Sequence, residues 1–307
     1  MRLRRVVAVD VGGTGIKAAR CDASTPDYRP VAELTRPTPV AAGVPAVVAA
    51  IADVITVLAR AEPVDGVGVI LPGAVEPAAG IARYSTNIGW RDLAIRDQLQ
   101  QLTGLAVAIE HDVRAAGRAE FELGAAAGAA DALFVALGTG IAAASRTGGH
   151  LVTGASYLAG ELGHVPVRPD GERCPCGQVG CTEVYASAAA VARRYRQRTG
   201  TALPAEQVVA AAVAGQPAAM AVLAEAVQAL SQALVFATLM LDPAVIVLGG
   251  GLAQAGPVLL EPVAAGLAQG LAWRPAPPVV PAAFGARAGQ VGAALIGADA
   301  AARPPAR

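Results

Sequence analysis

The chain alternates continuous apolar runs with glycine-rich turns and with stretches of helical period. Val6 to Val11 is apolar except for Asp10; Gly12, Gly13, Thr14 and Gly15 follow, and a second apolar run covers Ile16 to Arg20. That pattern reads as strand, turn, strand. Val31 to Arg36 predicts a third strand, Pro45 to Ala61 an alanine-rich helix, and Val64 to Leu71 a strand stopped by Pro72 and Gly73. Asp92 to Leu102 predicts a helix closed by Gly104, and Leu105 to Ile109 a buried strand that meets a further helix near Asp112. The opening pattern then returns, with a strand over Asp131 to Leu137, a turn at Gly138, Thr139 and Gly140, and a return strand over Ile141 to Arg146. Val184 to Arg198 and Pro217 to Leu241 predict helices, and Ala244 to Leu248 a strand ending in Gly249, Gly250 and Gly251. Val258 to Leu271 reads as a helix, Pro278 to Phe284 as a short edge strand, Gly289 to Ala302 as the last helix, and Arg303 to Arg307 as a frayed end. Strands and helices in this alternation predict an α/β protein.

Composition narrows the class. The 307 residues suggest roughly two domains, and 54% hydrophobic against 16% charged residues excludes a disordered chain. Lys plus Arg and Asp plus Glu balance at 24 each, so no net field draws nucleic acid or anionic membrane. The run Arg193, Arg194, Arg196 and Arg198 reads as a solvated helix end, where cations suit the macrodipole. The start MRLRRVVAVDVGG is interrupted by Asp10 before any signal-peptide core forms, and apolar windows such as Ala233 to Leu241 are too short for a bilayer. A cytoplasmic protein with no membrane span is therefore expected. Its partners would be a small molecule or another copy of itself, as a dimer or tetramer through apolar helices of the second half.

Candidate chemistry concentrates between Gly160 and Ser187, GELGHVPVRPDGERCPCGQVGCTEVYAS. His164, Cys174, Cys176 and Cys181 offer imidazole and thiolate ligands in the number that closes a tetrahedral structural Zn²⁺ site. Gly177 and Gly180 allow the chain to fold back on the metal. Disulfides are the competing reading, but nothing indicates export and Cys21 is left over. Glu161 and Glu183 flank the loop; either is an ordinary solvated carboxylate or a group held in place to bind hydroxyls.

The glycine turns are the second candidate. The first lacks the Gly-Lys-Ser/Thr ending of a phosphate loop and opens no helix as a dinucleotide fingerprint does. Its backbone N–H groups can still cradle phosphate, and Asp10 at the strand end can hold a hydrated Mg²⁺. One such turn is weak, since most merely connect strands. Its repeat at Gly138 to Gly140 predicts two similar domains that hold a polyphosphate. Gly249 to Gly251 would admit an adenine-ribose unit. In the polar loop YSTNIGWRD, Asn87 either binds a sugar hydroxyl or is a turn residue. Asp112, after Glu110 and His111 where strand becomes helix, either caps the helix or is a general base.

Taken together these pieces resemble the ROK family of bacterial sugar kinases, and within it the ATP-dependent glucokinases. DVGGTGIK at Asp10 to Lys17 is similar to its first phosphate motif, LGTGI at Leu137 to Ile141 to its second, and LGGGL at Leu248 to Leu252 to its adenosine motif. GELGH with CPCGQVGCTE is similar to its sugar and zinc signature, the most specific of the four. The resemblance implies a two-lobed actin-like ATPase/hexokinase (ribonuclease H-like) fold with a central cleft and a structural zinc loop. Residues 1–111 would form the smaller lobe, 112–287 the larger, and 288–307 a helix returning to the smaller. It further implies that Asp112 is the catalytic base, that Gly73, Asn87, His111, Asp112, Glu161, His164 and Glu183 meet the sugar, and that Gly12, Gly13, Thr14, Lys17, Gly138, Thr139 and Gly140 surround the phosphates, with Asp10 on Mg²⁺. Gly249, Gly250 and Gly251 would hold the adenosine. The expected reaction moves the γ-phosphoryl of ATP to a hexose primary hydroxyl, glucose first, with N-acetylmannosamine, N-acetylglucosamine and fructose as rivals. Regulators of the same family carry a DNA-binding domain ahead of the first strand, and none is expected here. Three departures bear on the sugar and nucleotide: His111 and Arg114 where the family has asparagine and a small polar residue, and Ala142, Ala143 and Ala144 where it continues with glycines, which would put methyl groups beside the nucleotide.

Overall fold

The first strand, β1 (Arg5–Val11), is apolar on consecutive positions because both of its faces are covered. Val7, Val9 and Val11 enter one hydrophobic cluster, while Val6 and Ala8 enter another on the opposite face. A computed structural model describes residues 5–302; the Arg303–Arg307 end lies outside the described residues. β1 pairs antiparallel with β2 (Gly15–Asp22), which pairs antiparallel with β3 (Arg29–Pro37). Helix α1 (Val44–Ala61) follows, then β4 (Gly66–Leu71), β5 (Ala74–Glu76), β6 (Ile81–Tyr84), β7 (Arg91–Leu93), α2 (Ile95–Thr103), β8 (Val107–His111) and α3 (Asp112–Glu122). The main sheet has the order β3-β2-β1-β4-β8, with β1, β4 and β8 parallel. Gly104 ends α2 in the left-handed conformation, as its sequence position predicts.

The second unit repeats the plan. β9 (Ala132–Leu137), β10 (Ile141–Thr147) and β11 (His150–Leu151) form an antiparallel set. After the cysteine loop come α4 (Glu183–Ala186), α5 (Ala188–Thr199), α6 (Ala205–Val213), α7 (Pro217–Leu241), β12 (Val245–Gly249), α8 (Pro257–Gly270) and β13 (Val279–Pro281). The sheet order is β11-β10-β9-β12-β13, the same third-second-first-fourth-fifth arrangement of strands as in the first unit. Helix α9 (Ala288–Ala302) belongs to the first unit and covers the second face of its sheet. A side chain at Gly68 would run into the Ala293 carbonyl, so helix and sheet approach as closely as glycine allows.

One compact unit runs to Ala119 and takes in Thr153–Leu158 and the described chain from Arg287 onward; the other comprises Glu120–Val152 and Ala159–Ala286. The first turns of α3 thus lie with the first unit, whereas the sequence reading began the second lobe at residue 112. The cause is local: α3 packs on α9 through Ala115, whose backbone a side chain at Gly292 would meet.

Several expectations change. The helix predicted over 184–198 is two helices, because Ser187 accepts the Ala190 N–H at 3.1 Å and caps α5. The arginine run is not simply solvated: Arg194 is buried, pairs with Glu172 and Glu225, and stacks with Arg168 on the Tyr185 ring. Arg193 pairs with Glu172 and Arg198 with Glu225. Two helices, Val44–Ala61 and Pro217–Leu241, are by length and composition apolar enough to cross a membrane, contrary to the reading that such windows are too short. Both contribute buried residues to the cores, Val47, Ile51 and Ile55 from one and Val222, Leu230 and Leu234 from the other.

Candidate active site

Parallel strands β1, β4 and β8 end on one edge of the first sheet, where α/β proteins gather their chemistry. The register sets Asp10 level with Ile70, and Ile70 level with Glu110. Two residues beyond Glu110, Asp112 opens α3. Desolvation pushes the Asp10 pKa up to about 6, the Asp112 charge adds to the rise, and Lys17, its partner across the hairpin, opposes it. Asp112 is likewise pushed up to about 6 by desolvation, against the Val113 N–H and the Arg114 charge. Its side chain is still 37% exposed, enough to be reached by a ligand.

The capping role left open for Asp112 falls to its neighbour. His111 Nδ1 accepts the Arg114 N–H at 3.4 Å, three residues on, as an N-cap does, whereas Asp112 Oδ1 takes only the adjacent Val113 N–H at 2.7 Å. His111 Nε2 stands 3.2 Å from Asp112 Oδ1. Arg114 is buried and donates to Glu110 (2.8 Å), to the Tyr157 carbonyl (3.0 Å) and to the Val75 carbonyl (2.9 Å). Sequence reading noted Arg114 only as a departure; the spacing of Glu110 and Arg114, four apart, is the signal that could have found the pair.

Around this edge the glycine hairpin is held by Gly12 N–H to the Gly15 carbonyl (2.9 Å) and by Thr38, whose hydroxyl donates to the Gly12 carbonyl at 2.6 Å. A methyl group on Gly13 would stand 3.5 Å from Asn87 Cβ, so the Asn87 loop lies against the hairpin. Asn87 and Thr14 are exposed, and so is Lys17. Gly73 has φ of 92° and a side chain there would strike the Tyr84 carbonyl, so glycine is required where β4 turns into β5.

The second unit assembles its own set. Gly138 N–H bonds the Gly140 carbonyl at 3.0 Å, and Thr139 is exposed at the tip. Glu183 Oε2 accepts the Ile141 N–H at 2.8 Å and would lie 2.5 Å from a methyl on Gly140, so this carboxylate braces the second glycine turn. Gly249 pairs with Ala136 on β9, which puts Gly249 to Gly251 on the same sheet edge; a side chain at Gly249 would meet the Phe134 ring at 2.7 Å. Ala143 and Ala144 are buried within β10 and Ala142 is half-buried, so two of the three methyl groups expected beside a nucleotide are in the interior.

Glu161 and His164 lie on a turn docked to β10, where side chains at Gly160 and Gly163 would strike the Ala143 and Ile141 carbonyls. The ligand atoms of His164, Cys174, Cys176 and Cys181 all fall within 4.8 Å of one another. Cys176 and Cys181 sulfurs are 3.7 Å apart and Cys174 sulfur is 3.8 Å from His164 Nδ1. A tetrahedral site with metal–sulfur bonds of ~2.3 Å has sulfur–sulfur edges of ~3.8 Å, so the four donors fit such an ion. His164 Nε2 points the other way, 3.7 Å from Glu161 Oε2. Isolated bridges Pro166↔Cys181 and Arg173↔Val179 hold the loop against itself.

Comparison with known proteins first defines the class. The fold is that of the ROK sugar kinases: a glucokinase from Streptomyces griseus, solved with glucose and AMPPNP, superposes with a TM-score of 0.84 at 30% identity, over 96% of this chain and 99% of that one. The chain belongs to the ROK family, whose pattern matches residues 6–300. It is 31% identical to the glucokinase of Thermotoga maritima over 84% of this chain and 86% of that protein, and 34% identical to that of Halalkalibacterium halodurans over 64% of each. The family also takes in the Escherichia coli transcriptional regulator NagC, 29% identical over 64% of this chain and 51% of its own length.

Proposed function

We propose that the chain transfers the γ-phosphoryl group of Mg·ATP to the 6-hydroxyl of glucose. It is an ATP-dependent sugar kinase, and the glucokinase relatives favour glucose among hexoses. The observation that carries the reading is Asp112, a reachable carboxylate with its pKa raised to about 6 on the strand edge that also bears Asp10 and the glycine hairpin. A base of that pKa is ionised at neutral pH and still takes a proton from a hydroxyl as the oxygen becomes bonded to phosphorus.

Phosphoryl transfer depends on positioning and charge neutralisation more than on covalent chemistry. In this reading Asp112 accepts the sugar proton, and Gly73, Asn87, Glu161, His164 and Glu183 contact the sugar. Gly12, Gly13, Thr14 and Lys17, and separately Gly138, Thr139 and Gly140, surround the phosphates; Gly249, Gly250 and Gly251 leave room for adenosine. Asp10 is the ligand through which Mg²⁺ would add positive charge at the phosphates. His164, Cys174, Cys176 and Cys181 would hold Zn²⁺, which supplies rigidity to the loop that carries Glu161 and Glu183. The protein would act in the cytoplasm as a homodimer or homotetramer, with no nucleic-acid or membrane partner.

The test is ADP release with glucose, fructose, N-acetylglucosamine and N-acetylmannosamine as acceptors. The highest kcat/KM is expected with glucose. A different preferred sugar overturns the glucose assignment, and no ADP from any acceptor overturns the kinase reading in favour of a sugar sensor like the family's regulators.

A further inference from the structure

His111 stands where the family's sugar-binding asparagine is expected, yet its ring is 12% exposed and both nitrogens face groups of the first unit. Nδ1 accepts the Arg114 N–H at 3.4 Å, so on a neutral ring the proton sits on Nε2. Nε2 stands 3.2 Å from Asp112 Oδ1. The charged groups around the pair are Arg114 and Glu110 beside His111 and, facing Asp112, Asp10 with its hairpin partner Lys17. Desolvation and the Arg114 charge lower the His111 pKa to about 4, while Glu110 opposes, so the ring is neutral at working pH.

We propose that His111 is a positioning residue for the base: its Nε2–H fixes the Asp112 carboxylate so that Oδ2 takes the hydroxyl proton. This deepens the kinase reading and rests on it, and it replaces a direct sugar contact as the principal role of His111. Val113 N–H bonds Oδ1 at 2.7 Å and His111 Nε2 stands 3.2 Å from the same oxygen, so in this proposal Oδ1 is the held oxygen and Oδ2 the one that takes the proton. In the step, the sugar O–H bond breaks toward Asp112 Oδ2, the sugar oxygen bonds the γ-phosphorus, and the bond from phosphorus to the β-bridging oxygen breaks to release ADP. The imidazole neither gains nor loses a proton. Arg114 acts one position behind: through Glu110 and the carbonyls of Val75 and Tyr157 it is fixed in place, and its N–H dictates the His111 tautomer.

Side-chain reach makes the proposal separable from sugar binding. The glutamine amide nitrogen occupies the place of Nε2, whereas the asparagine amide reaches only the place of Nδ1. His111→Gln is therefore expected to keep kcat within about threefold, while His111→Asn and His111→Ala lose about 10- to 100-fold in kcat with the sugar KM within about twofold, as misplacement of a reacting group does. Loss of the donor also raises the Asp112 pKa, so the acid limb of kcat moves to higher pH in His111→Ala and stays put in His111→Gln. If His111 is a sugar ligand instead, His111→Asn retains activity and His111→Ala raises the sugar KM at unchanged kcat; that result overturns the proposal. Melting curves of all three variants identify any that fail to fold, and His111→Gln remains the informative one if His111→Ala does. One readout needs no turnover: with three histidines in the chain, imidazole ¹H–¹⁵N correlations can be assigned, and an Nδ1–H tautomer at His111 overturns the proposal even in an active enzyme. Wild-type protein with an Nε2–H tautomer but no ADP release would instead remove the kinase reading.

Discussion

The two units carry one scaffold with different chemistry. Each has a five-stranded sheet of the same order, and in each the first two strands form a hairpin closed by glycines. Two positions before the turn, the first hairpin pairs Asp10 with Lys17, and the second pairs Ala136 with Ala142. The first unit adds Asp112 on the same edge and holds both acids near a pKa of 6. The second unit has methyl groups at the matching hairpin positions and spends its polar residues on shape, with Glu183 gripping the turn and a four-donor cluster tying the loop beyond. The plan supplies two similar glycine turns; divergence at Asp10 and Lys17 places the raised carboxylates beside one of them.

The sharpest way to break that division is Asp112→Asn. It leaves shape nearly intact and removes the carboxylate proposed as base, so turnover is expected to fall by about 10²–10⁴. Sugar affinity, followed by isothermal titration with glucose, should change little. Turnover within a few-fold of wild type would take the chemistry away from the first unit.

Metal removal attacks the second unit. Elemental analysis of the intact protein is expected to find one Zn²⁺ per chain, and Cys176→Ser, or exhaustive chelation, is expected to abolish it. Either change should also raise the sugar KM about tenfold, the effect that loosening a ligand-bearing shell commonly has. Turnover at saturating sugar should fall far less than in Asp112→Asn. Full activity without metal would mean that the loop holds its shape unaided.

The same contrast extends to single glycines. Gly140→Ala drives a methyl against Glu183 Oε2 and disrupts the Ile141 N–H bond, at a cost of about 1–3 kcal/mol for the unpaired groups. Gly13→Ala meets Asn87 Cβ at an ordinary 3.5 Å and should leave stability nearly unchanged. Urea melts of the two variants compare them directly; equal losses would show that the turns are not differently braced.

Most of the scaffold is legible in the sequence, because the signals are local. Continuous valines in β1 announce a strand covered on both faces, the repeated glycine turns announce the repeated hairpin, and α7 runs over the span its apolar pattern predicts. The cysteine and histidine spacing likewise closes into one cluster. What escapes the sequence depends on partners far along the chain. Arg194 reads as solvated until Glu172 and Glu225 arrive from other elements, and the three-residue strands of β5 and β7 are too short for periodicity to register. The helix α6 falls in a stretch with no strong caps. The bond from Arg114 N–H to the His111 ring is likewise set by the backbone of α3 and has no signal in the sequence.

The smallest effect tests the comparison through stability. Asp10 and Asp112 have folded-state pKa values of about 6, above the ordinary 3.8, so between those values the folded chain binds more protons than the unfolded one. Their contribution is fully present below pH 4 and is lost as pH rises through about 6; at neutral pH the two charges oppose folding. The second unit works in the opposite sense: Glu225, held below its usual pKa by Arg194 and Arg198 in spite of its partial desolvation, contributes above the normal glutamate range and weakens as pH falls. Asp112→Asn should therefore raise the apparent melting temperature at pH 7.5 relative to wild type, and the gain should shrink at pH 4. Partial exposure of Asp112 screens the effect, so a rise on the order of 2–4 °C is the upper range, what about 1 kcal/mol produces in a domain of this size. Glu225→Gln should do the reverse, costing more at pH 7.5 than at pH 4. If Asp112→Asn lowers the melting temperature at pH 7.5, the raised carboxylate is a structural asset rather than a cost of function, and the first unit is no different in this respect from the second.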